Sequence, residues 1–178
     1  MASDAAAGSP TERPSLTIER TYDAAPEVVW QAWTDPQALS KWFGPEETQA
    51  VLDVDIDVKV GGRYRIAFVT GDGERHDVGG IYREVRFPSL LSFTWAWRTT
   101  PERESLVTIR LEPAGGGTRL VFRHEQFFDQ AARDRHEGGW SGTFRKLDRF
   151  LQGETSASLR SSTRCSNLPT SSSSSPFS

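Results

Sequence analysis

A single cysteine, a single methionine and three histidines are the chain's whole stock of thiol, thioether and imidazole groups in 178 residues. The lone Cys165 excludes an internal disulfide and any zinc site built on cysteines. No apolar run approaches the roughly 18 residues that a membrane-spanning helix needs. Residues 1–15 hold no hydrophobic stretch of the kind a secretory signal carries. Basic residues are not in excess either: 21 Lys and Arg stand against 24 Asp and Glu, for a net charge of −3. Sequence-independent binding of nucleic acid needs a basic stripe and is not expected. No membrane partner is expected, and a reducing, cytoplasmic setting fits these absences.

What is abundant divides unevenly along the chain. Only 36% of residues are hydrophobic, but much of that dilution is local, because eleven of the 25 residues from Glu154 to Ser178 are serine. Such a segment buries too little apolar surface to offset the entropy of ordering it. The expected organisation is therefore a disordered N-terminal tail at 1–15, one domain at 16–152, and a Ser-rich disordered tail at 153–178. The central stretch is long enough for one hydrophobic core.

Hydrophobic periodicity orders that stretch. Leu16–Tyr22 alternates apolar and polar residues as a strand does. Pro26, Val28, Val29, Ala32 and Trp33 mark a short helix ended by Asp35-Pro36, and Gln37–Trp42 a second one that stops before Gly44-Pro45. A long period-2 region follows. Leu52 to Val60 alternates with Asp53, Asp55 and Asp57, and Gly61-Gly62 turns the chain into Tyr64, Ile66 and Phe68. Gly71 to Gly73 marks a further hairpin. Val78–Phe87 reads as a strand with a bulge at Gly79-Gly80. Leu91, Phe93, Trp95 and Trp97 form the next strand, then Val107 to Leu111, then Leu120, Phe122 and His124. The last element is a helix with Gly138-Gly139 as a weak point. Its apolar stripe is Trp140, Phe144, Leu147 and Leu151, with Gly153 as the stop.

Tight turns every eight to fourteen residues imply an antiparallel meander with one apolar face. The single greasy stripe of the last helix must bury itself on that face. The fold class is α+β: a curved antiparallel sheet wrapped around a long C-terminal helix, with two short helices after the first strand. Much of the inward face is aromatic, and bulky rings that close imperfectly round a helix leave a mostly apolar pocket.

Six stretches resemble a known family: Ile18–Tyr22 ahead of Ala25-Pro26, TDPQALSKWFGP at Thr34–Pro45, VDIDVKVGGRYR at Val54–Arg65, LLSFTWAW at Leu90–Trp97, GGGTRLVFRHEQF at Gly115–Phe127, and GGWSGTFRKLDRFL at Gly138–Leu151. In this order they resemble the START-like, birch-pollen-allergen-like superfamily, SRPBCC. More closely, they are similar to its activators of the ninety-kilodalton heat-shock-protein ATPase, homologue-one type. The resemblance implies a helix-grip fold around a hydrophobic cavity. It also implies a small apolar ligand, since members bind lipids, polyketides or hormones, and some are cyclases or hydratases. The eukaryotic namesakes stimulate a chaperone ATPase, a stress-response role, through an additional N-terminal domain. With fifteen residues ahead of the first strand, that domain is not expected here.

The residues expected to line the cavity are Trp42, Phe43, Tyr64, Phe68, Trp95, Phe122, His124, Trp140 and Phe144. His124 shares strand parity with Leu120 and Phe122 and points inward. It is either a satisfied core histidine or a polar anchor for a ligand carbonyl or hydroxyl. His76, just after a hairpin turn, is expected in solvent, and His136 at a pocket mouth. Trp33 and Trp97 are expected to fill core. His124-Glu125 and His136-Glu137 begin like zinc-protease motifs, but Phe128 and Trp140 stand where the second histidines belong. Asp53, Asp55 and Asp57 read as a solvated strand face, with Arg63 and Arg65 as partners. No catalytic residue, metal or cofactor is assigned. The expected function is binding of a small hydrophobic or aromatic ligand by a monomer or homodimer. The alternatives are a co-chaperone-like modulator partnered with a chaperone, and an enzyme of polyketide cyclase or hydrolase type.

Overall fold

The computed structural model describes residues 12–164, with side chains from 12 to 153; Cys165 and most of the serine run lie outside the described residues. The chain begins with β1 (Leu16–Tyr22), followed by α1 (Pro26–Thr34) and α2 (Pro36–Trp42). Pro26 and Pro36 each open a helix, where a missing N–H costs nothing. The Asp35 carboxylate accepts from the Gln37 N–H at 2.8 Å and caps α2. Six strands come next: β2 (Thr48–Ile56), β3 (Arg63–Thr70), β4 (Arg75–Arg86), β5 (Leu90–Trp97), β6 (Ser105–Ala114) and β7 (Gly117–Glu125). Helix α3 (Gln130–Arg164) ends the described chain.

All seven strands join one antiparallel sheet in the order β1-β7-β6-β5-β4-β3-β2. The two short helices carry the chain from one edge strand, β1, to the other, β2. Helix α3 packs on the inner face through Trp140, Phe144, Leu147 and Leu151, each at most 4% exposed. Burial of each side chain contributes about 1.5–3 kcal/mol, which is what holds a helix with so polar an outer face. A polar tie reinforces the contact: the Tyr22 hydroxyl donates to the Asp148 carboxylate at 2.8 Å, joining β1 to α3.

The architecture agrees with the α+β, helix-grip expectation, and four details differ from it. First, α3 passes through Gly138-Gly139 and Gly153 without a break and runs to Arg164, so Gly153 is not its stop. A helix-interior glycine costs only about 1 kcal/mol relative to alanine, too little to end a helix by itself. Second, the Gly79-Gly80 pair is not the bulge. The register of β4 against β5 shifts between Tyr82 and Glu84 instead. The glycines are there because backbones approach closely: a Cβ on Gly80 would strike the Thr94 carbonyl oxygen. Third, β2 does not keep one parity to Val60. Register shifts after Thr48 and after Val51 bring Val51 against the core and leave Leu52 exposed, and the strand ends at Ile56, so Val60 stands exposed in the turn beyond it. Fourth, Arg65 stands opposite Asp55 in the β2–β3 register, as expected, but its ion pair runs to Asp77 on β4, at 2.6 Å.

Candidate functional site

Four elements meet at one end of the sheet and enclose a pocket of about 870 Å³. The segment after α2 supplies Phe43, Gly44 and Pro45; the β3–β4 hairpin supplies Phe68, Thr70 and His76. The end of β5 supplies Trp95 and Trp97, and α3 supplies His136, Gly139, Trp140 and Thr143. The walls are aromatic, with Trp95 against Trp140 at 5.0 Å and against Trp97 at 5.5 Å between ring centroids. The rim carries both signs of charge, among them Glu47, Glu74, Arg98 and Arg135.

Local chemistry explains why these walls stand where they do. The Lys146 ammonium on α3 donates to the carbonyl oxygens of Phe43, Gly44 and Pro45 at 3.1, 3.3 and 3.4 Å, fixing the segment that presents Phe43. Partial burial pulls the Lys146 pKa down. Gly142 lets that segment lie close, since a Cβ there would come within 2.9 Å of the Glu46 backbone nitrogen. On the hairpin, Phe68 and His76 are register partners and stack at 5.1 Å with 24° between planes. Asp77 accepts from Arg65 at 2.6 Å and from Arg75 at 2.9 Å. The Arg75 and Arg65 guanidinium groups hold its carboxyl far below the usual carboxylate range.

Two indole–imidazole hydrogen bonds run behind and along the wall. Trp140 Nε1–H donates to His124 Nδ1 at 3.0 Å, and His124 Nε2 lies 2.7 Å from Ser105 Oγ. Because Nδ1 accepts, the proton sits on Nε2 and is donated to Ser105, whose hydroxyl in turn donates to the Trp95 carbonyl at 3.2 Å. Trp97 Nε1–H donates to His136 Nε2 at 3.0 Å, and His136 Nδ1–H donates to the Ala132 carbonyl at 2.7 Å. Both imidazoles are therefore neutral. Burial, with the nearby His136, pushes the His124 pKa well below 6.5. Burial also lowers that of His136, against the opposing pull of the Ala132 carbonyl.

Of the nine residues expected to line a cavity, the structure brings four together on the pocket: Phe43, Phe68, Trp95 and Trp140. The other five are placed elsewhere. Trp42, Phe122 and Phe144 are fully buried in the packing between helix and sheet. Trp42 Nε1–H is engaged there by the Ala32 carbonyl at 2.9 Å. Tyr64 donates to the Thr94 carbonyl at 2.5 Å and borders a separate cavity of about 20 Å³. His124 is fully buried, with both ring nitrogens bonded to protein. Two wall residues run against expectation: Trp97 faces the pocket rather than filling core, and His76 is half-buried against Phe68 rather than solvated. Counting the hairpin register outward from Asp72, the middle of the Gly71–Gly73 turn, pairs His76 with Phe68, and that was the available signal for it. His136 lies on the pocket, as its position before the glycine pair suggested. Among the described residues, no three His, Cys, Asp or Glu side chains group as metal ligands. No described helix is long and apolar enough to cross a membrane.

A seven-stranded antiparallel sheet that grips a C-terminal helix, with an aromatic pocket at one end, is the helix-grip architecture of the SRPBCC superfamily. Within it, residues 23–152 match the family described as Activator of Hsp90 ATPase homolog 1-like protein, AHSA1, and the chain belongs to that family. It is similar to the AHSA1 protein from Silicibacter pomeroyi, at 33% identity over 79% of this chain and 99% of that one, with a TM-score of 0.70. A protein from Chromobacterium violaceum is 28% identical over 76% of this chain and 96% of its own, with a TM-score of 0.69. An AHSA1-like protein from Aeromonas hydrophila, 22% identical over 80% of this chain and 94% of its own, shares the fold with a TM-score of 0.68. No curated protein matches the sequence.

Proposed function

We propose that this AHSA1-family domain binds a small hydrophobic or aromatic molecule in the pocket between the β3–β4 hairpin, β5 and α3. The observation that carries the reading is the pocket itself. Its volume of about 870 Å³, walled by Phe43, Phe68, Trp95, Trp97 and Trp140, falls in the range of about 300–1,000 Å³ usual for small-molecule sites. Apolar burial would supply affinity at about 25 cal/mol per Å². The mixed-sign rim would leave the ligand's charge unselected. An enzymatic reading would have to rest on His76, whose Nε2 lies 3.3 Å from Thr70 Oγ1, because His124 and His136 both have each ring nitrogen engaged by a protein partner. Neither His124 nor His136 is a free base facing the pocket.

Titration with fatty acids and polyketide-like aromatics, followed by tryptophan emission, tests the proposal. At least one ligand class is expected to shift the emission saturably, since three of the six tryptophans form pocket wall. Gly139 lines the pocket, and a Cβ there meets nothing within 4 Å. Gly139→Leu is therefore expected to weaken the response while the protein stays folded. No saturable response to any class, or one that Gly139→Leu leaves intact, would overturn the assignment.

A further inference from the structure

Most ring nitrogens on the wall of the pocket are spent within the protein. Trp97 and Trp140 each donate to a histidine, and His136 is bonded at both nitrogens. His76 is different. Its ring shares the sheet face of its register partner Phe68 and lines the pocket, half-buried. Nε2 lies 3.3 Å from Thr70 Oγ1, and Nδ1 has no hydrogen-bond partner among the described residues. Nor is Nδ1 sealed in. Among the described residues, the buried side-chain polar atoms without a partner are Trp33 Nε1, Thr48 Oγ1 and Trp95 Nε1.

Thr70 decides which imidazole nitrogen carries the proton. A hydroxyl has one hydrogen to give, and that of Thr70 goes to the Asp72 carboxylate at 2.5 Å. The bond pulls the Asp72 pKa below its ordinary range. Toward His76 the same oxygen can only accept, so Nε2 is the protonated nitrogen of the neutral ring. Nδ1 is then a bare lone pair. The Phe68 stack at 5.1 Å covers one face of the imidazole and holds it in place. The Trp97 ring centroid is 6.1 Å away, so the imidazole borders the wall that an aromatic ligand would cover.

We propose that His76 Nδ1 is a hydrogen-bond acceptor for the ligand and selects aromatic rings that carry a hydroxyl, the phenols and naphthols. The ligand ring would lie against Trp95 and Trp97, and its O–H would donate to Nδ1. A carboxylate or a quinone has no proton to offer there. This rests on the pocket being a ligand site and adds the ligand's chemistry to it.

The test pairs 2-naphthol with 2-methylnaphthalene, which has the same shape and no donor. Affinities for the whole protein are measured by calorimetry near pH 8, where a naphthol, like other phenols, keeps its proton. The readout is the ratio of the two affinities in wild type against His76→Phe, which cancels the different hydration of the ligands. Phenylalanine keeps a ring against Phe68 and removes the acceptor. The ratio is expected to fall about tenfold in the variant, the cost of a bound hydroxyl left without its acceptor. Both proteins should bind 2-methylnaphthalene alike. Long-range ¹H–¹⁵N NMR of the wild-type imidazole reads the tautomer, and this readout stands even if the variant folds poorly. Nε2 should carry the proton, and Nδ1 should be the nitrogen whose signal 2-naphthol moves. An unchanged ratio, or a free ring protonated on Nδ1, would overturn the acceptor role and leave the pocket standing. Binding of neither compound would overturn the pocket, and the acceptor role with it.

Discussion

Acid should weaken this fold well before its carboxylates titrate, and His124 is the reason. The ring is fully buried, accepts from Trp140 and donates to Ser105, and burial with the nearby His136 holds its pKa well below 6.5. In the unfolded chain the same ring takes up a proton near pH 6.5. Below that value the unfolded state binds more protons than the folded one, so stability falls as pH falls. The full slope is about 1.4 kcal/mol per pH unit for one such site, which integrates to at most about 2 kcal/mol between pH 7 and pH 5, reached when the folded ring stays neutral throughout. His136 acts in the same direction, because burial lowers its pKa too. Asp77 stays outside this window. Its pKa is depressed below 3.8, so its contribution is present above that value and is lost only at lower pH. Against a typical stability of about 5–15 kcal/mol, a loss of 2 is easily resolved by urea unfolding at pH 7, 6 and 5. His124→Gln offers an amide that can accept from Trp140 and donate to Ser105 without titrating, and it should remove most of the His124 share. A wild-type midpoint that is flat from pH 7 to 5, or a His124→Gln variant as acid-sensitive as wild type, would refute the reasoning.

Three further outcomes are expected. Gly138→Ala, on an open face of α3 where a Cβ meets nothing within 4 Å, should raise stability by about 1 kcal/mol and lift the melting temperature. Gly80→Ala should cost about 3 kcal/mol or abolish folding, since the Thr94 carbonyl it would strike is backbone and cannot swing aside; chemical denaturation measures it. Phe122→Ala should cost about 3–5 kcal/mol by the same measurement, because the ring is fully buried between Trp33, Trp140 and Phe144.

The comparison of pattern with structure turns on particular residues. Strand parity correctly put Phe122, His124, Trp95 and Phe68 on the inner face, because side chains alternate strictly across a strand. It could not sort them by depth. Phe122 and Phe144 lie where α3 covers the sheet, whereas Phe68, Trp95 and Trp97 sit toward the end where the walls part. Parity held for Val54 and Ile56 on β2 but failed at its start, where the register shift after Val51 turns Val51 inward and Leu52 outward. The glycine pair in β4 was legible as a special point but not as the kind of special point. A bulge and a close backbone approach leave the same residue in the chain.

Periodicity and turn chemistry alone determined that this protein is a meander closed by one amphipathic helix, because those signals are local and repeat within a few residues. The family's six stretches, read in order, pointed the same way. Only the tertiary structure decided which rings wall a pocket and which fill the core. It alone showed that His124 is engaged on both nitrogens, and that the buried indole nitrogens of Trp33 and Trp95 have no hydrogen-bond partner in the protein. Those properties depend on where a distant helix ends its cover of the sheet and on partners many residues away in the chain. No local pattern encodes the position of a neighbour that only folding brings into contact.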